Sequence, residues 1–573
     1  MTRLRRSVPS HKILRKLNIL AALSLCLSAV FFALHELDYP LTGIDDANIY
    51  LVYARNLVDG HGFVYNIGGE RVEGFTSLLW TLIAALSMKF TSRPELALLA
   101  VNILLVSLGA VYALEYLQRQ PEGGPKKWMS IPAWSALFLI LIFSSPRYVV
   151  WNTITLMENA LWSTLLLLAA LIVVGDFDSP AAINSRFLPV SILLILTRPE
   201  SLLWVTVFLG MLFLRLTFAA SPPAALKSLT PSLIGIPLGL GLLTLFRLQY
   251  FGYPLPNTYY AKVSPSFAYN LEQGALYLIR YFISDPIAAV GIIAVLLACI
   301  LSVQSVSPAK GIFYLPWIAA TGLMVPILTG GDHFGSSRFY QNVYPITLLC
   351  LVHFARQVFP DMAAGLAGRK TLPRLRPLLF PALVLLLSYG FVVSQAKAWS
   401  SFPPEIKAEF SVAEYERRNG AFIQDLFSSL PRLPSMGVIA AGGIKLSYDG
   451  EIVDLMGLNN TVMAHNQGDR VGHRGHAAFE VETFFELQPQ IVWPIQVNEQ
   501  WRYSEADLRD RWENTLGFKG LFNDPRFLAA YTYAKVHRIS QNRISLVAWF
   551  RQDFLEDLVA SGDYVVEPYS YEP

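Results

Sequence analysis

The feature that most constrains this chain is a succession of apolar runs, each broken by a short polar segment. The first follows a basic N-terminus (Arg3, Arg5, Arg6, Lys12, Arg15 and Lys16) and extends from about Leu17 to Leu34. Further runs lie near 95–117, 131–146, 159–175, 187–197, 201–217, 231–247, 285–305, 313–329, 343–357 and 377–395. Roughly 20 apolar residues let a helix cross a bilayer; several runs are shorter, so their bounds are approximate. In lipid every backbone polar group must be bonded internally, so repeated runs of this kind predict a polytopic α-helical membrane protein. The composition agrees: 53% of the 573 residues are hydrophobic and only 15% charged, where soluble domains carry roughly 25% charged residues. Mean hydropathy is +0.41. A scattered net charge of +3 gives no electrostatic footprint for nucleic acid. Cys26, Cys299 and Cys350 all lie in apolar runs, where a thiol acts as a small hydrophobe, so no disulfide framework is available.

Basic residues set the expected orientation. The N-terminal cluster reads as cytoplasmic by the positive-inside rule, and no small-residue cleavage site follows the first run. If the run from Phe75 to Phe90 crossed the membrane, Arg119/Lys126/Lys127 and Arg369/Lys370/Arg374/Arg376 would lie outside. If it lies at the interface or re-enters, both loops stay in the cytoplasm. The second arrangement predicts about eleven spans with the C-terminus outside. Residues 1–395 then form a transmembrane domain and 396–573 an extracytoplasmic α/β domain, with strands at Val438–Ala440 and Ile491–Trp493 and a helix over 408–430. Six segments share the outer face: 35–94, the loop with Met157 and Glu158, the turn Arg198-Pro199-Glu200, 248–284, 330–342, and the tail.

The first outer loop holds adjacent carboxylates, Asp45 and Asp46, just past a span. Neighbouring acids repel, so one can act as a base while the other pairs with a cation or metal. The competing reading makes Asp45 a helix cap and Asp46 a solvated charge. Arg55, one loop-length on, offers positive charge for a departing phosphate. Glu158 beside a span end would be unfavourable against lipid, which points it toward a polar cavity. Arg198 and Glu200 either pair across their turn or serve the site. In Tyr250–Lys262, Pro254 and Pro256 forbid a continuous helix; Asn257, the Tyr259-Tyr260 pair and Lys262 form either an interfacial belt or a sugar platform with a phosphate-binding lysine. Asp332, His333 and Arg338 follow a Gly-Gly turn. His465, His473 and His476 in the tail lack zinc-ligand spacing, and Asp454 and Asn459 read as structural caps.

The string Asp45-Asp46-Ala-Asn-Ile-Tyr, Tyr53-Ala54-Arg55-Asn56, Gly60-His61-Gly62, Asn66 and Glu70-Arg71-Val72-Glu73-Gly74-Phe75-Thr76-Ser77-Leu78-Leu79-Trp80 resembles the first-loop signature of GT-C membrane glycosyltransferases. More narrowly, it is similar to terminal arabinofuranosyltransferases of mycobacterial cell walls and the related enzyme that arabinosylates type IV pilins. The likeness recurs in Met157-Glu158, Thr197-Arg198-Pro199-Glu200, Tyr250 through Lys262, Gly330-Gly331-Asp332-His333 with Arg338, and Ile452 through Asn459. The resemblance implies a GT-C fold, a polyprenyl-phosphate sugar donor and inversion at the anomeric carbon. It places the catalytic carboxylate at Asp45 or Asp46, with Asp45, the first of the pair, slightly favoured.

On that basis the chain is expected to move a pentose, D-arabinofuranose, to a glycan or pilin-like protein hydroxyl outside the cytoplasmic membrane of a bacterium. Asp45 or Asp46 would be the base. Arg55, Lys262 and Arg338 would hold the donor phosphate, with Glu73, Glu158, Arg198, Glu200, Asn257, Tyr260, Asp332 and His333 in support. The sequence singles out no cofactor; a divalent metal, Mg or Mn, bridging carboxylate and phosphate is compatible with the pattern. The alternatives are a GT-C transferase for a hexose or for aminoarabinose, acting on lipid A or protein, and a lipid-linked glycan flippase. A flippase would need ionisable residues deep within several spans, whereas the acidic residues here gather at span ends.

Overall fold

The apolar runs fold as helices because a polyleucine-like stretch in lipid has no other way to satisfy its backbone. The computed structural model describes residues 11–119, 131–176, 179–284, 286–367, 404–468, 470, 477–493, 504–541 and 545–569. The N-terminal part is helical throughout: α1 (His11–His35), α2 (Asp45–Val58), α3 (Leu78–Phe90), α4 (Pro94–Arg119), α5 (Ile131–Phe143), α6 (Pro146–Asn152), α7 (Asn159–Val174) and α8 (Pro180–Thr197). The series continues with α9 (Ser201–Ala219), α10 (Pro222–Tyr250), α11 (Asn257–Lys262), α12 (Phe267–Ser284), α13 (Pro286–Ser305), α14 (Leu315–Leu328) and α15 (Arg338–Ala367). Helices α1, α9 and α10 leave most of their apolar surface exposed, as lipid-facing helices do, while α4 and α14 are more than half buried.

The span count differs from the expected eleven. Among the described residues five helices are long and apolar enough to cross a membrane, or up to seven if each bent pair is one span. The pairs are α5 with α6, bent by 70°, and α12 with α13, bent by 112°. The runs at 159–175 and 187–197 form helices whose apolar stretches are too short to qualify by themselves. The run at 377–395 lies outside the described residues. Helix α3, from the ambiguous run 75–90, has 13 residues; at 1.5 Å per residue it spans roughly 20 Å, short of a hydrocarbon core of about 30 Å.

Helix α2 is buried on nearly every side. Its two aspartates sit in the first turn, where the helix dipole favours negative charge. Tyr53 and Tyr50 hold the returning loop: the Tyr53 hydroxyl donates to the Val72 carbonyl (2.9 Å), and the Ser77 N–H donates to the Tyr50 hydroxyl (3.2 Å). These anchors keep the path from Glu70 to Thr76 against α2.

The tail builds a six-stranded mixed sheet from β1 (Met436–Val438), β2 (Ile452–Asp454), β3 (Ile491–Trp493), β4 (Tyr531–Arg538), β5 (Ser545–Arg551) and β6 (Tyr564–Pro568), in the order β2-β1-β3-β5-β4-β6. The β1–β2 and β1–β3 pairs are parallel, and β3–β5, β4–β5 and β4–β6 are antiparallel. All residues of β1 and β2 are buried, so neither shows the in-out alternation of a half-exposed strand. Two tail helices, α16 (Pro404–Leu426) and α17 (Gly443–Ser447), lie on α2. Arg417 of α16 clamps the junction, donating from Nε to Asn48 Oδ1 (2.7 Å) and from Nη1 to Glu95 (2.7 Å). The Tyr65 hydroxyl donates to the Ala441 carbonyl, and Asn66 bonds both the N–H and the carbonyl of Ile452.

Candidate active site

The segments expected on one face converge on a cavity of about 480 Å³. Asp46 comes from α2, Thr76 from the first loop, Met157 from the α6–α7 connection, and Arg198 and Glu200 from the α8–α9 turn. Lys262 ends α11, Asp332, His333 and Arg338 follow α14, and the tail contributes Leu458 and Arg470.

The two adjacent carboxylates part company here. Asp46 faces the cavity, with Oδ2 3.5 Å from Lys262 Nζ; the two side chains are 22% and 25% exposed, so the pair is reachable from the cavity. Burial opposes the charge on Asp46, but Lys262, Arg338 and His333 outweigh it and hold the carboxyl below its usual range. Asp45 points the other way. Its Oδ2 accepts from the Gly442 N–H (2.9 Å) and its Oδ1 from the Gly443 N–H (2.7 Å) at the start of α17. Burial pushes the Asp45 carboxyl up to about 6, partly offset by those two donors. A Cβ at position 442 would lie 1.9 Å from the Asp45 carbonyl oxygen, so only glycine permits this approach.

Asp332 and Arg338 form the second charged centre. Arg338 Nε lies 2.6 Å from Asp332 Oδ2, and Asp332 Oδ1 accepts from the His333 N–H (2.9 Å). Burial opposes ionisation of Asp332, yet Arg338 and His333 keep it far below the carboxylate range. The Arg338 guanidinium is held over Phe334 (4.7 Å) and Phe339 (5.2 Å). The third centre is a buried triad. Arg198 contacts Glu158 and lies 2.9 Å from Glu200, with its guanidinium over Trp162 at 4.9 Å. Both carboxylates are N-caps, of α7 and α9, and Arg198 is the C-cap of α8, so each charge complements its helix dipole. Glu200 faces the cavity with its carboxyl held low: burial opposes the charge, and Arg198 overrides it.

Other residues singled out in the sequence serve the frame. Arg55 donates to the carbonyls of Leu446 (2.9 Å) and Lys445 (3.4 Å), docking the tail rather than lining the cavity. Glu73 forms a buried two-bond pair with Arg247 (2.8 and 2.9 Å); burial pushes its carboxyl up to about 7 against that pairing. Asn257 Nδ2 donates to the carbonyls of Gly457 (2.8 Å) and Leu458 (3.0 Å), tying the α11 turn to the tail. Tyr260 packs on His465 at 4.2 Å, beside the cavity. Asp454 caps its turn, accepting from Met456 and Asn459. His473 and His476 lie outside the described residues. Among the described residues no three His, Cys, Asp or Glu side chains gather as a metal-binding group. The cavity carboxylates Asp46, Asp332 and Glu200 instead each face a basic side chain.

Sequence reasoning missed Arg470, which lines the cavity while donating to the Tyr260 carbonyl (3.1 Å) and the Ala464 carbonyl (2.7 Å). It missed Arg247 and Arg417 too. Nothing in their local pattern marks them; each is defined by a partner more than 170 positions away.

Comparison with known proteins gives the architecture. No protein-family model matches the chain, and no curated protein matches it in sequence. Among solved structures, it is similar to ArnT from Cupriavidus metallidurans bound to undecaprenyl phosphate, with a TM-score of 0.51 and 12% identity over 94% of this chain and 98% of that one. Two structures of the Archaeoglobus fulgidus oligosaccharyltransferase also align. The apo form gives a TM-score of 0.47 at 11% identity, and AglB with an inhibitory peptide and a dolichol-phosphate gives 0.46 at 12%; each covers 95% of this chain and 75% of the other. The likeness to ArnT, over nearly the whole of both chains, gives this polytopic membrane protein the fold of that structure.

Proposed function

We propose that this chain is an inverting glycosyltransferase that moves a sugar from a polyprenyl-phosphate donor to an acceptor hydroxyl on the outer face of the membrane. The observation that carries the reading is Asp46: an ionised carboxylate on the cavity wall, 3.5 Å from a lysine, in a fold like that of a protein bound to undecaprenyl phosphate. In the proposed step the acceptor oxygen forms a bond to the anomeric carbon from the face opposite the phosphate. The anomeric carbon–oxygen bond to phosphate breaks, and its electron pair leaves with the polyprenyl phosphate. The acceptor proton passes to Asp46.

The cations fit that sequence of events. Lys262 and Arg338, with Arg470 at the tail side, supply positive charge where the departing phosphate gains negative charge. Before donor arrives, Lys262 lies against Asp46 and lowers its basicity. A bound phosphate draws the lysine's field to itself and leaves Asp46 a stronger base. A donor with its tail in the bilayer suits the setting, because α12 contributes Phe267, Asn270 and Gln273 to the wall while its other apolar residues, Ile279, Phe282 and Ile283 among them, stay exposed.

The sugar is D-arabinofuranose by resemblance of the first-loop string to terminal arabinofuranosyltransferases. The test is a panel of synthetic polyprenyl phosphates carrying arabinofuranose, a hexose or 4-aminoarabinose, offered to the purified full chain in detergent. Consumption of the arabinofuranosyl donor at least tenfold faster than the others is expected. Preference for the hexose or the amino sugar contradicts the pentose assignment.

A further inference from the structure

Next to the reaction centre the cavity wall carries a strip of rings. Tyr259 lines the cavity with 42% of its surface exposed, and Tyr260 meets it edge-on at 5.5 Å. Tyr260 and Tyr253 hold the tail's His465 between them, at 4.2 and 3.9 Å. Among the described residues the buried His465 Nε2 has no hydrogen-bond partner, and the ring serves as an apolar plate. The strip is rigid: Asn257 ties it to the tail, and Arg470 holds the Tyr260 carbonyl. Tyr259 and Lys262 are three residues apart on α11, on one side of the helix. The exposed ring therefore flanks the lysine that faces Asp46.

Packing explains Tyr253, Tyr260 and His465 but not Tyr259, whose exposed face stabilises little by burial. Its chemistry suits a sugar: the apolar C–H face of a sugar lies flat on an aromatic ring, and hydroxyls at the sugar's edge meet polar side chains. Thr258, Ser264, Asn270 and Gln273 line the same cavity. One way to hold an extended peptide is main-chain pairing with a sheet edge. None of the described residues lining this cavity belongs to a strand.

We propose that the Tyr259 ring, backed by Tyr260, is the acceptor subsite and that it takes a sugar residue of a glycan chain rather than a peptide; this rests on the glycosyl-transfer reading above. The experiment is saturation-transfer NMR on the full chain in detergent. It is titrated with tetrasaccharides of arabinofuranose, mannose and galactose and with serine- and threonine-rich peptides of similar length. At least one tetrasaccharide should saturate, Tyr259→Ala should weaken it about tenfold, and Tyr259→Phe should stay within about twofold, because the ring and not the hydroxyl makes the contact. Equal binding by Tyr259→Ala overturns the subsite, as does saturation by a peptide alone or by none of the tetrasaccharides. Polyprenyl phosphate release from donor, measured on the same samples, reports on the reaction separately. Glycan binding through Tyr259 with no donor ever consumed contradicts the transferase reading and leaves the glycan site standing.

Discussion

At the residue scale the decisive contrast is between Asp45 and Asp46. Adjacent helical side chains diverge by roughly 100°, so one faces the cavity and its neighbour faces the tail. The pair was legible in the sequence as a source of a base. Which member faces the cavity was not, because the partner that claims Asp45 lies 397 positions away. The first-of-pair preference for Asp45 gives way, in the proposed mechanism, to Asp46. Asp45→Asn should leave one of the Gly442 and Gly443 N–H groups without its acceptor, a loss of about 1–3 kcal/mol, while transfer is partly retained. The pH dependence follows from the direction of the shift. Asp45 binds its proton more tightly folded than unfolded, so its contribution favours the fold at low pH and is lost as pH rises from about 4 to about 6. Thermal melts should show that decline weakened in Asp45→Asn; an unchanged melting profile contradicts the clasp. Lys262→Ala should raise the donor KM and lower kcat/KM about tenfold to hundredfold, the worth of a hydrogen bond to a charged group, with yield from the membrane preserved. Wild-type donor kinetics in a well-folded variant would remove Lys262 from the site.

At the element scale, three helix ends meet at Arg198. The sequence showed Arg198 and Glu200 two residues apart and left open whether they pair; they do, and Glu158 completes the group from α7. The third member was invisible as a partner because helix packing, not sequence distance, brings α7 against α8 and α9. Removing the central cation leaves the buried Glu158 and the cavity-facing Glu200 without their shared partner. Arg198→Ala should destabilise the protein by about 3–5 kcal/mol, read as a lowered melting temperature. Arg198→Ala with Glu158→Gln should recover part of the loss, since one of the two carboxylate charges is gone. No recovery in the double variant contradicts the triad as an electrostatic unit. The helices themselves were the most legible elements, because apolar runs leave the backbone no alternative. Their number was less so: the run at 131–146 folds as a bent pair, and those at 159–175 and 187–197 fold as helices too short to qualify as spans by themselves.

For the whole molecule, the reading requires the N-terminus inside, Phe75–Phe90 not crossing, and the tail outside. Reporter fusions at Ala363 and Ala408 should report the cytoplasm and the exterior respectively; an outward Ala363 or an inward Ala408 contradicts the orientation. The tail had the least legible role. Its strand at 491–493 falls where the apolar triplet put it, the strand expected at 438–440 ends at Val438 instead of starting there, and the helix expected over 408–430 runs over 404–426; nothing local shows that α16 and α17 brace α2 or that Arg470 closes the cavity wall. Those contacts exist only once both halves are folded. Together they hold Asp46 on the cavity wall beside Lys262, and the most direct measurement addresses that group. Purified wild type and Asp46→Asn are compared for transfer of labelled sugar from a synthetic polyprenyl phosphate, with folding checked by size exclusion. Asparagine keeps the shape but cannot take the proton, so turnover should fall by about 10²–10⁴ while donor still binds. Near-normal turnover by Asp46→Asn would contradict the assignment of this cavity as the catalytic centre.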